Sequence, residues 1–319
     1  MKNFLLAVAL MVPAMLLSAA DRGTYLNIAT GGTAGVYYPL GNGLAKIFPK
    51  YISNTSFTAQ ATGGSVENLK LIADGKADIA FALADTVWDG YKGFNEFKAH
   101  KVPVLTLASV YPASCQIVTV EGRNINRVAD LKGKRISTGA AGSGTEVFAL
   151  RVLEAYGLDP EKDVQRVKLG AGESAAALKE KKIDAFFWLG GVPTAAVTEL
   201  ASSPGMHIKL IDHALALTKI ATKYGPLYTT GEIAPNSYPG QTRKSRIINV
   251  WNLLVVNQNM DERLVYDLTK TLFERKDELV AVHKEAMNLT LEDQPRGGSP
   301  IPFHPGARRY LKERGVSVR

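Results

Sequence analysis

The amino-acid sequence predicts a two-lobed α/β protein with largely parallel sheets and a ligand cleft between the lobes. One observation is an internal repeat, in which residues 27–38 align with residues 135–146 and residues 64–81 align with residues 170–187. A second observation is a C-terminal part that has no counterpart in the second copy. Strands that alternate with helices in this way are typical of parallel sheets.

Residues 1–20 differ from the rest of the chain. Lys2 is their only charge, and an apolar run from Phe4 to Leu17 precedes the small residues Ser18-Ala19-Ala20. The run is too short to cross a hydrocarbon core of ~30 Å. We therefore expect a signal peptide that is cleaved before Asp21, which makes the mature protein periplasmic. An uncleaved N-terminal anchor is the alternative.

Composition limits the classes of function. The chain has 319 residues, of which 46% are hydrophobic, and its formal net charge is +8. This size suits one large or two ordinary domains. The basic residues are scattered, so nucleic-acid binding is not expected. Cys115 is the only cysteine; we expect a buried structural thiol there rather than a nucleophile.

The first half of each repeat unit is a strand that ends in Thr-Gly, a turn of small residues and a helix. The helices are predicted over Tyr38 to Phe48 and over Thr145 to Tyr156. The second half is a glycine turn, a helix, a Lys-x-Asp turn and a strand. These strands are predicted over Ile79–Leu83 and over Ala185–Leu189. Two such units predict two α/β lobes.

The C-terminal part begins with a long strand over residues 246–256. Helices are predicted after it over Asp261 to Phe273, Lys276 to Asn288 and Pro305 to Arg314. We expect these helices to return to the first lobe, so that the chain crosses between lobes near 108–120 and near 245–252. Two crossings make a hinge. The predicted division is a signal peptide over 1–20, lobe I over 21–112 with 248–319, and lobe II over 113–247.

Both glycine turns lie at the carboxyl end of a strand and at the start of a helix. Ligands bind at this place in open α/β sheets, and unpaired N–H groups at a helix start favour an anion. The hydroxyl groups near the turns suit a carboxylate: Thr30, Thr33, Tyr37, Tyr38, Ser65, Thr138, Ser143 and Thr145. The alternative, in which the glycines serve only turns and packing, remains open.

The common catalytic and nucleotide-binding signatures do not fit. Residues 139–144 read Gly-Ala-Ala-Gly-Ser-Gly, Gly133-Lys134 lacks the P-loop glycine at position 128, and neither Ser65 nor Ser143 lies in G-x-S-x-G. The five histidines form no zinc signature, and His304 is expected to be a capping or packing residue rather than a ligand. We therefore expect no enzyme, no metal and no cofactor.

A series of short motifs runs along nearly the whole mature chain: Ile28-Ala-Thr-Gly-Gly-Thr33, Tyr37-Tyr-Pro-Leu-Gly41, Thr62-Gly-Gly-Ser-Val-Glu-Asn-Leu69, Asp130-Leu-Lys-Gly-Lys-Arg135, Gly142-Ser-Gly-Thr145, Asp184-Ala-Phe-Phe187, Gly191-Val-Pro-Thr194 and His304-Pro-Gly-Ala307. In this order they resemble the TAXI-type solute receptors of TRAP transporters. The resemblance implies a type II periplasmic-binding-protein fold that closes on a solute and docks to an ion-gradient-driven membrane permease. It also implies anionic solutes such as glutamate, related dicarboxylates or keto acids.

Together, the turns, the strand ends and the resemblance give one set of candidate ligand-binding residues: Gly32, Thr33, Tyr37, Tyr38, Ser65, Asp85, Thr138, Ser143, Gly144, Thr145, Trp188, Gly191 and Pro193. The sequence departs from the family pattern at Leu83-Ala84-Asp85, where many relatives carry Gln-Ser or Gln-Asn before Asp. With Phe187-Trp188-Leu189 in the second lobe, this indicates an acid with an apolar or aromatic part. Trp188 as a core residue is the alternative.

The predicted function is an extracytoplasmic solute receptor, a monomer, that captures a small organic anion and delivers it to TRAP permease subunits. One alternative is a ligand-binding sensor subunit for a membrane kinase. Another is a cleft enzyme in which Asp85 or Glu146 acts as a base. The sequence offers no paired catalytic group for that enzyme.

Overall fold

The structure is a computed structural model that describes residues 23–98, 100–296 and 298–318. The predicted signal peptide, residues 1–20, lies outside these ranges. Within them, every helix is too short or too polar to span a bilayer.

Ten strands and ten α-helices form in the described part of the chain, with short 3-10 segments between some of them. The strands are β1 (Thr24–Ala29), β2 (Thr55–Gln60), β3 (Ile79–Leu83), β4 (Val104–Val120), β5 (Arg135–Ser137), β6 (Gln165–Val167), β7 (Ala185–Gly190), β8 (Ile208–Leu210), β9 (Tyr228–Ile233) and β10 (Ser245–Asn257). The helices are α1 (Tyr37–Tyr51), α2 (Ser65–Ala73), α3 (Ala84–Lys92), α4 (Gly144–Ala155), α5 (Ala171–Lys179), α6 (Ala195–Ser202), α7 (Leu217–Tyr224), α8 (Glu262–Glu274), α9 (Lys276–Val282) and α10 (Pro305–Glu313).

The strands form one curled sheet in the order β2-β1-β3-β10-β4-β7-β5-β6, with β8 beside β4 and β9 beside β10. β1 pairs in parallel with β2 and β3, and β5 pairs in parallel with β6 and β7. We call residues 24–92 the first unit and residues 135–202 the second unit. The predicted two-lobed α/β fold is confirmed, with the repeat copied as β2-β1-β3 and β6-β5-β7.

The pattern of buried apolar residues explains why the repeat forms these strands and helices. All five residues of β3 are buried, as expected for a parallel strand that is covered on both faces. In α1 the buried apolar residues Leu40, Leu44, Ile47 and Phe48 recur at intervals of three and four, which places them on one face of the helix. This face packs on β2 and β1.

β4 and β10 are the two crossing strands, and they pair with each other in antiparallel fashion. β10 also pairs with β3 of the first unit, and β4 pairs with β7 of the second unit. Register shifts interrupt the β4–β10 ladder on both sides of Leu253-Leu254. The two units are therefore joined through one pair of strands, which forms the two-crossing hinge.

The C-terminal helices return to the first unit, since α8 and α9 contact α1. The single helix expected over Lys276 to Asn288 is wrong, because the chain is extended at His283 and continues as a 3-10 segment over Lys284–Asn288. The His283 imidazole accepts the N–H of Glu285 and starts that segment. His304 caps α10, as predicted, by accepting the N–H of Gly306.

Cys115 is fully buried in β4, in agreement with the expected structural thiol. Burial raises the pKa of this thiol well above its usual range. The thiol therefore stays protonated and unreactive.

Candidate functional site

A cavity of about 440 Å³ lies between the first and second units. The segments that follow β1, β2, β5 and β6 border it, together with the ends of β3 and β7. In α/β sheets this edge, at the carboxyl ends of parallel strands, is where ligands bind.

The first turns of four helices line the cavity. They are the starts of α1, α2, α4 and α5, which contribute Tyr37, Ser65, Gly144 and Ala171. The first N–H groups of a helix have no partner within the helix, and its dipole places about half a positive charge there. The cavity therefore faces the positive ends of four helix dipoles, of which α2 already donates the N–H groups of Val66 and Glu67 to Gly142.

Charged side chains contribute little to the cavity. Among the described residues, Glu173 is the only charged one that lines it, and it is exposed to solvent. Its carboxylate accepts the N–H of Gly170 at 3.0 Å. No Lys, Arg or His of the described part of the chain lines the cavity. An anion in this cavity would be held by N–H groups and hydroxyls rather than by a cationic side chain.

Three buried hydroxyls of the lining already accept a hydrogen bond from the protein. Ser143 caps α4 by accepting the N–H of Glu146 at 3.1 Å. The Ser65 Oγ accepts the N–H of Leu83 at 3.1 Å, and the Thr145 Oγ1 accepts that of Leu189 at 3.4 Å. The O–H groups of Ser143 and Thr145 donate to no acceptor among the described residues, so they are available as donors.

The rest of the wall is aromatic and aliphatic. Trp188 donates its indole N–H to Thr194 Oγ1 at 3.0 Å, which fixes the ring at the cavity. The ring also approaches Gly35 of the first unit so closely that a Cβ there would lie 3.2 Å from it. Tyr37 stacks on Phe81 with ring centroids 5.0 Å apart.

Glycine is required at position 144, where the two units approach each other. A Cβ on Gly144 would lie 2.5 Å from Leu83 Cδ1 and 2.7 Å from Ser65 Oγ. The same contact brings the N–H groups of Val66 and Glu67 to the carbonyl oxygen of Gly142, at 3.0 and 3.1 Å. The second glycine turn therefore packs directly on the start of α2.

The predicted site residues fall into two groups. Those that line the cavity are Gly32, Thr33, Tyr37, Ser65, Ser143, Gly144, Thr145 and Trp188. Those that are not among the lining residues are Tyr38, Asp85, Thr138, Gly191 and Pro193.

Asp85 lies in an ion pair outside the cavity lining. It is fully buried and bonds to Nη1 of Arg151 at 3.0 Å and to the hydroxyl of Tyr228 at 3.0 Å. Arg151 also pairs with Asp89 and lies 4.3 Å from the ring centroid of Tyr224. The cause is local, because α3 begins directly after β3 and carries Asp85 towards α4 of the second unit.

Structural contacts also explain the other residues of the second group. Thr138 is buried. The carbonyl oxygen of Gly191 accepts the hydroxyl of Thr194 at 2.6 Å, and a cis peptide bond joins Val192 to Pro193. Tyr38 follows Tyr37 in α1, and successive helix residues point about 100° apart, so the two rings leave the helix in different directions.

Sequence reasoning missed Tyr111 as a lining residue, whereas Leu83 and Leu189 line the cavity in agreement with the expected apolar wall. Tyr111 lies in crossing strand β4, and Leu83 and Leu189 end the two repeat strands. The signal that could have identified Tyr111 was a large side chain in the middle of a strand that crosses between the lobes. Within the described residues, no group of three or more His, Cys, Asp or Glu side chains is placed to hold a metal ion.

Comparison with known proteins agrees with this architecture. The structure resembles that of a protein of Bordetella bronchiseptica RB50, with a TM-score of 0.57, 18% identity and coverage of 92% of this chain and 99% of that one. It also resembles a structure described as a putative L-cystine ABC transporter from Listeria monocytogenes, with a TM-score of 0.52, 15% identity and coverage of 83% and 96%.

At these identities the likeness concerns the two-lobed α/β fold alone. Residues 28–315 match the model of the NMT1-like family, and the chain belongs to that family.

Proposed function

We propose that the protein is an extracytoplasmic solute receptor that captures a small organic anion, a carboxylate, between its two lobes. The observation that carries the proposal is the cavity, because four helix starts line it. Helix starts suit a carboxylate without a cationic side chain, and none lines the cavity among the described residues. The family and the fold support the class of receptor.

The mature chain would divide into lobe I, residues 21–112 with 248–319, and lobe II, residues 113–247. A carboxylate binds first to the N–H and hydroxyl groups of one lobe. Closure then adds donors from the other lobe, and the higher affinity of the closed state for the ligand drives the change. The contact of Gly142 with the start of α2 is one that closure would form.

The wall of the cavity supports an acid with an apolar or aromatic part. Trp188, Tyr37 and Leu189 offer apolar surface, whereas a small dicarboxylate would need a second polar end. Glu173, the one charged lining residue, would repel a second carboxylate nearby.

The proposed partner is an ion-gradient-driven TRAP permease in a bacterial inner membrane, with the receptor as a periplasmic monomer. The ordered motifs that resemble TAXI-type receptors support this partner. The L. monocytogenes structure is described as an ABC transporter component, but a likeness at that identity concerns the fold alone. A neighbouring gene for TRAP permease subunits, for ABC subunits or for a membrane kinase would separate the three assignments.

An enzyme on the same fold is less well supported. Its candidate bases are Asp85 and Glu146. Asp85 is paired with Arg151, and Glu146 is paired with Arg166 at 3.1 Å and with Lys168 at 2.8 Å. Both carboxylates are therefore engaged by cationic side chains, and neither is among the residues that line the cavity.

Thermal unfolding of the refolded, ligand-free mature protein with a panel of organic acids tests the proposal. An acid at one hundred times its Kd stabilises the protein by about 2.7 kcal/mol, which raises the Tm visibly. We expect a shift with one class of acid and none with sugars. Shifts with neutral or cationic solutes only would contradict the anion site.

The second glycine turn is tested by the double variant Ser143→Ala/Thr145→Ala. We expect ligand affinity to fall at least about tenfold, or ~1.4 kcal/mol, because two donors are lost. Loss of the Ser143 cap also destabilises α4 by ~1 kcal/mol. Asp261→Ala is the matched control, because Asp261 caps α8 through the N–H of Leu264, outside the cavity lining. Unchanged affinity in the folded double variant would exclude this turn.

A further inference from the structure

Tyr111 lies where crossing strand β4 passes the cavity. It pairs with Asn252 of β10, and only 1% of its surface is exposed. It is nevertheless one of the residues that line the cavity. A residue of the hinge strands therefore forms part of the wall between the two units.

The hydroxyl of Tyr111 has no hydrogen-bond partner in residues 23–98, 100–296 and 298–318. The sealed side-chain oxygens without a partner in these ranges are those of Ser109, Thr138 and Asn249, and the Tyr111 hydroxyl is not one of them. Because the ring borders the cavity, the cavity is where this hydroxyl can find an acceptor. A buried hydroxyl without a partner is unfavourable, so an acceptor there would be strongly favoured.

The polar groups around Tyr111 are already engaged with each other. The Tyr37 hydroxyl donates to Oδ1 of Asn252, and Nδ2 of Asn252 donates to the carbonyl oxygen of Tyr111 at 3.1 Å. The nearby Glu285 carboxylate accepts from Asn288 at 2.9 Å. None of these groups accepts from the Tyr111 hydroxyl.

Burial raises the pKa of Tyr111 well above its usual range, and the neighbouring Tyr37 and Glu285 raise it further. The phenol therefore stays protonated at any pH that the folded protein meets. It can donate one hydrogen bond at all times.

We infer that Tyr111 determines the specificity of the site by donating a hydrogen bond to an oxygen atom of the bound solute. This inference rests on the proposed function and deepens it. The acceptor is either an oxygen of the carboxylate or a neutral oxo oxygen beside it. A site that offers such a donor discriminates strongly against ligands without the acceptor, because the donor is then left unpaired.

Tyr111→Phe removes only the hydroxyl. We expect the Tm of the ligand-free variant to be unchanged or higher, because the lost group has no partner. We expect ligand affinity to fall at least about tenfold. Tyr91→Phe is the matched control, because Tyr91 of α3 is half-buried, also has no hydroxyl partner in the described residues, and does not line the cavity.

Matched pairs of acids identify the acceptor: phenylpyruvate with phenylpropionate, 4-methyl-2-oxopentanoate with 4-methylpentanoate, and 2-oxoglutarate with glutarate. Each pair differs only in the oxo oxygen. An equal loss of affinity for both members in Tyr111→Phe assigns the bond to the carboxylate, and a loss for the oxo acid alone assigns it to the oxo oxygen. Acids that bind the wild type and Tyr111→Phe equally well overturn the inference alone. A wild type that binds no acid overturns the proposed function and this inference together.

Discussion

The first and second units share a strand order and a repeated sequence, but their buried polar groups are organised differently. In the first unit, Asn68 of α2 ties the turn after β1 to the end of β3, because its amide donates to the carbonyl oxygens of Thr30 at 2.6 Å and Phe81 at 2.8 Å. In the second unit, the aligned residue is Ser174. Its hydroxyl bonds to Ser137 at 2.8 Å and to the carbonyl oxygen of Leu169 at 3.2 Å.

This difference separates what the repeat determines from what it leaves free. Both units form their βαβ backbone from hydrophobic spacing and glycine turns, which the two copies share. The polar links between turn and strand belong to single side chains, and those chains differ between the copies. We therefore expect aligned substitutions to have unequal effects, larger in the first unit.

The largest difference is expected for Asn68→Ala against Ser174→Ala. Loss of Asn68 removes this donor from the buried carbonyl oxygen of Phe81 and leaves that of Thr30 with the Thr62 hydroxyl at 3.2 Å, so the free energy of unfolding should fall by about 3 kcal/mol. Ser174→Ala removes a hydroxyl whose partner Ser137 can bond to Leu169 instead, and should cost about 1 kcal/mol. Urea denaturation measures both. Equal losses would show that the two links are equivalent.

A middle-sized difference is expected at the aligned glycines that precede α2 and α5. Gly64 has φ 119°, whereas Gly170 has φ −66°. A Cβ at Gly64 would meet Ser143 only at 3.5 Å, so Gly64→Ala tests backbone conformation rather than contact. We expect a loss of about 1.5 kcal/mol for Gly64→Ala and almost none for Gly170→Ala. Urea denaturation measures the free energy of unfolding of both variants. A large loss in Gly170→Ala would show that the positive φ of Gly64 is not the cause of the difference.

The sequence alone predicts the positions of elements that depend on a local residue pattern. The repeat strand over Ile79–Leu83 and the cap at His304 have the predicted positions, because apolar runs, glycine turns and capping residues act within a few residues. The end of the helix at His283 was not predicted. There the His283 imidazole accepts the backbone N–H of Glu285, and this contact between side chain and backbone is not visible in the hydrophobic pattern.

The sequence predicts the parts of the candidate site that consist of helix starts. It does not predict the parts that depend on contacts between residues far apart in the chain. Ser143 and Thr145 follow a glycine turn, which places them at the cavity. Asp85 also follows a strand end, but its partner Arg151 is far along the chain and cannot be found by spacing. Tyr111 lies in neither copy of the repeat, so its place beside the cavity depends on how β4 and β10 pair.

The smallest difference is expected at the aligned threonines that follow β1 and β5. Both backbone N–H groups bond alike, from Thr30 to Gln60 and from Thr138 to Val167, each at 3.0 Å. The Thr30 hydroxyl also donates to the carbonyl oxygen of Gln60 at 2.6 Å, whereas the buried Thr138 hydroxyl has no partner among the described residues. Thr30→Val should therefore cost about 1 kcal/mol of unfolding free energy, and Thr138→Val should cost nothing or stabilise slightly.

Differential scanning calorimetry of the two ligand-free threonine variants beside the wild type resolves this difference. Valine keeps the shape of threonine, so the comparison isolates the hydroxyl. A clear loss of stability in Thr138→Val without ligand would mean that this hydroxyl has a structural partner in the second unit. Calorimetry of Thr138→Val with a bound acid then tests the predicted ligand role of Thr138. If Thr138 binds the ligand, the ligand raises the Tm of the variant less than that of the wild type; if its role is purely structural, the rise is the same.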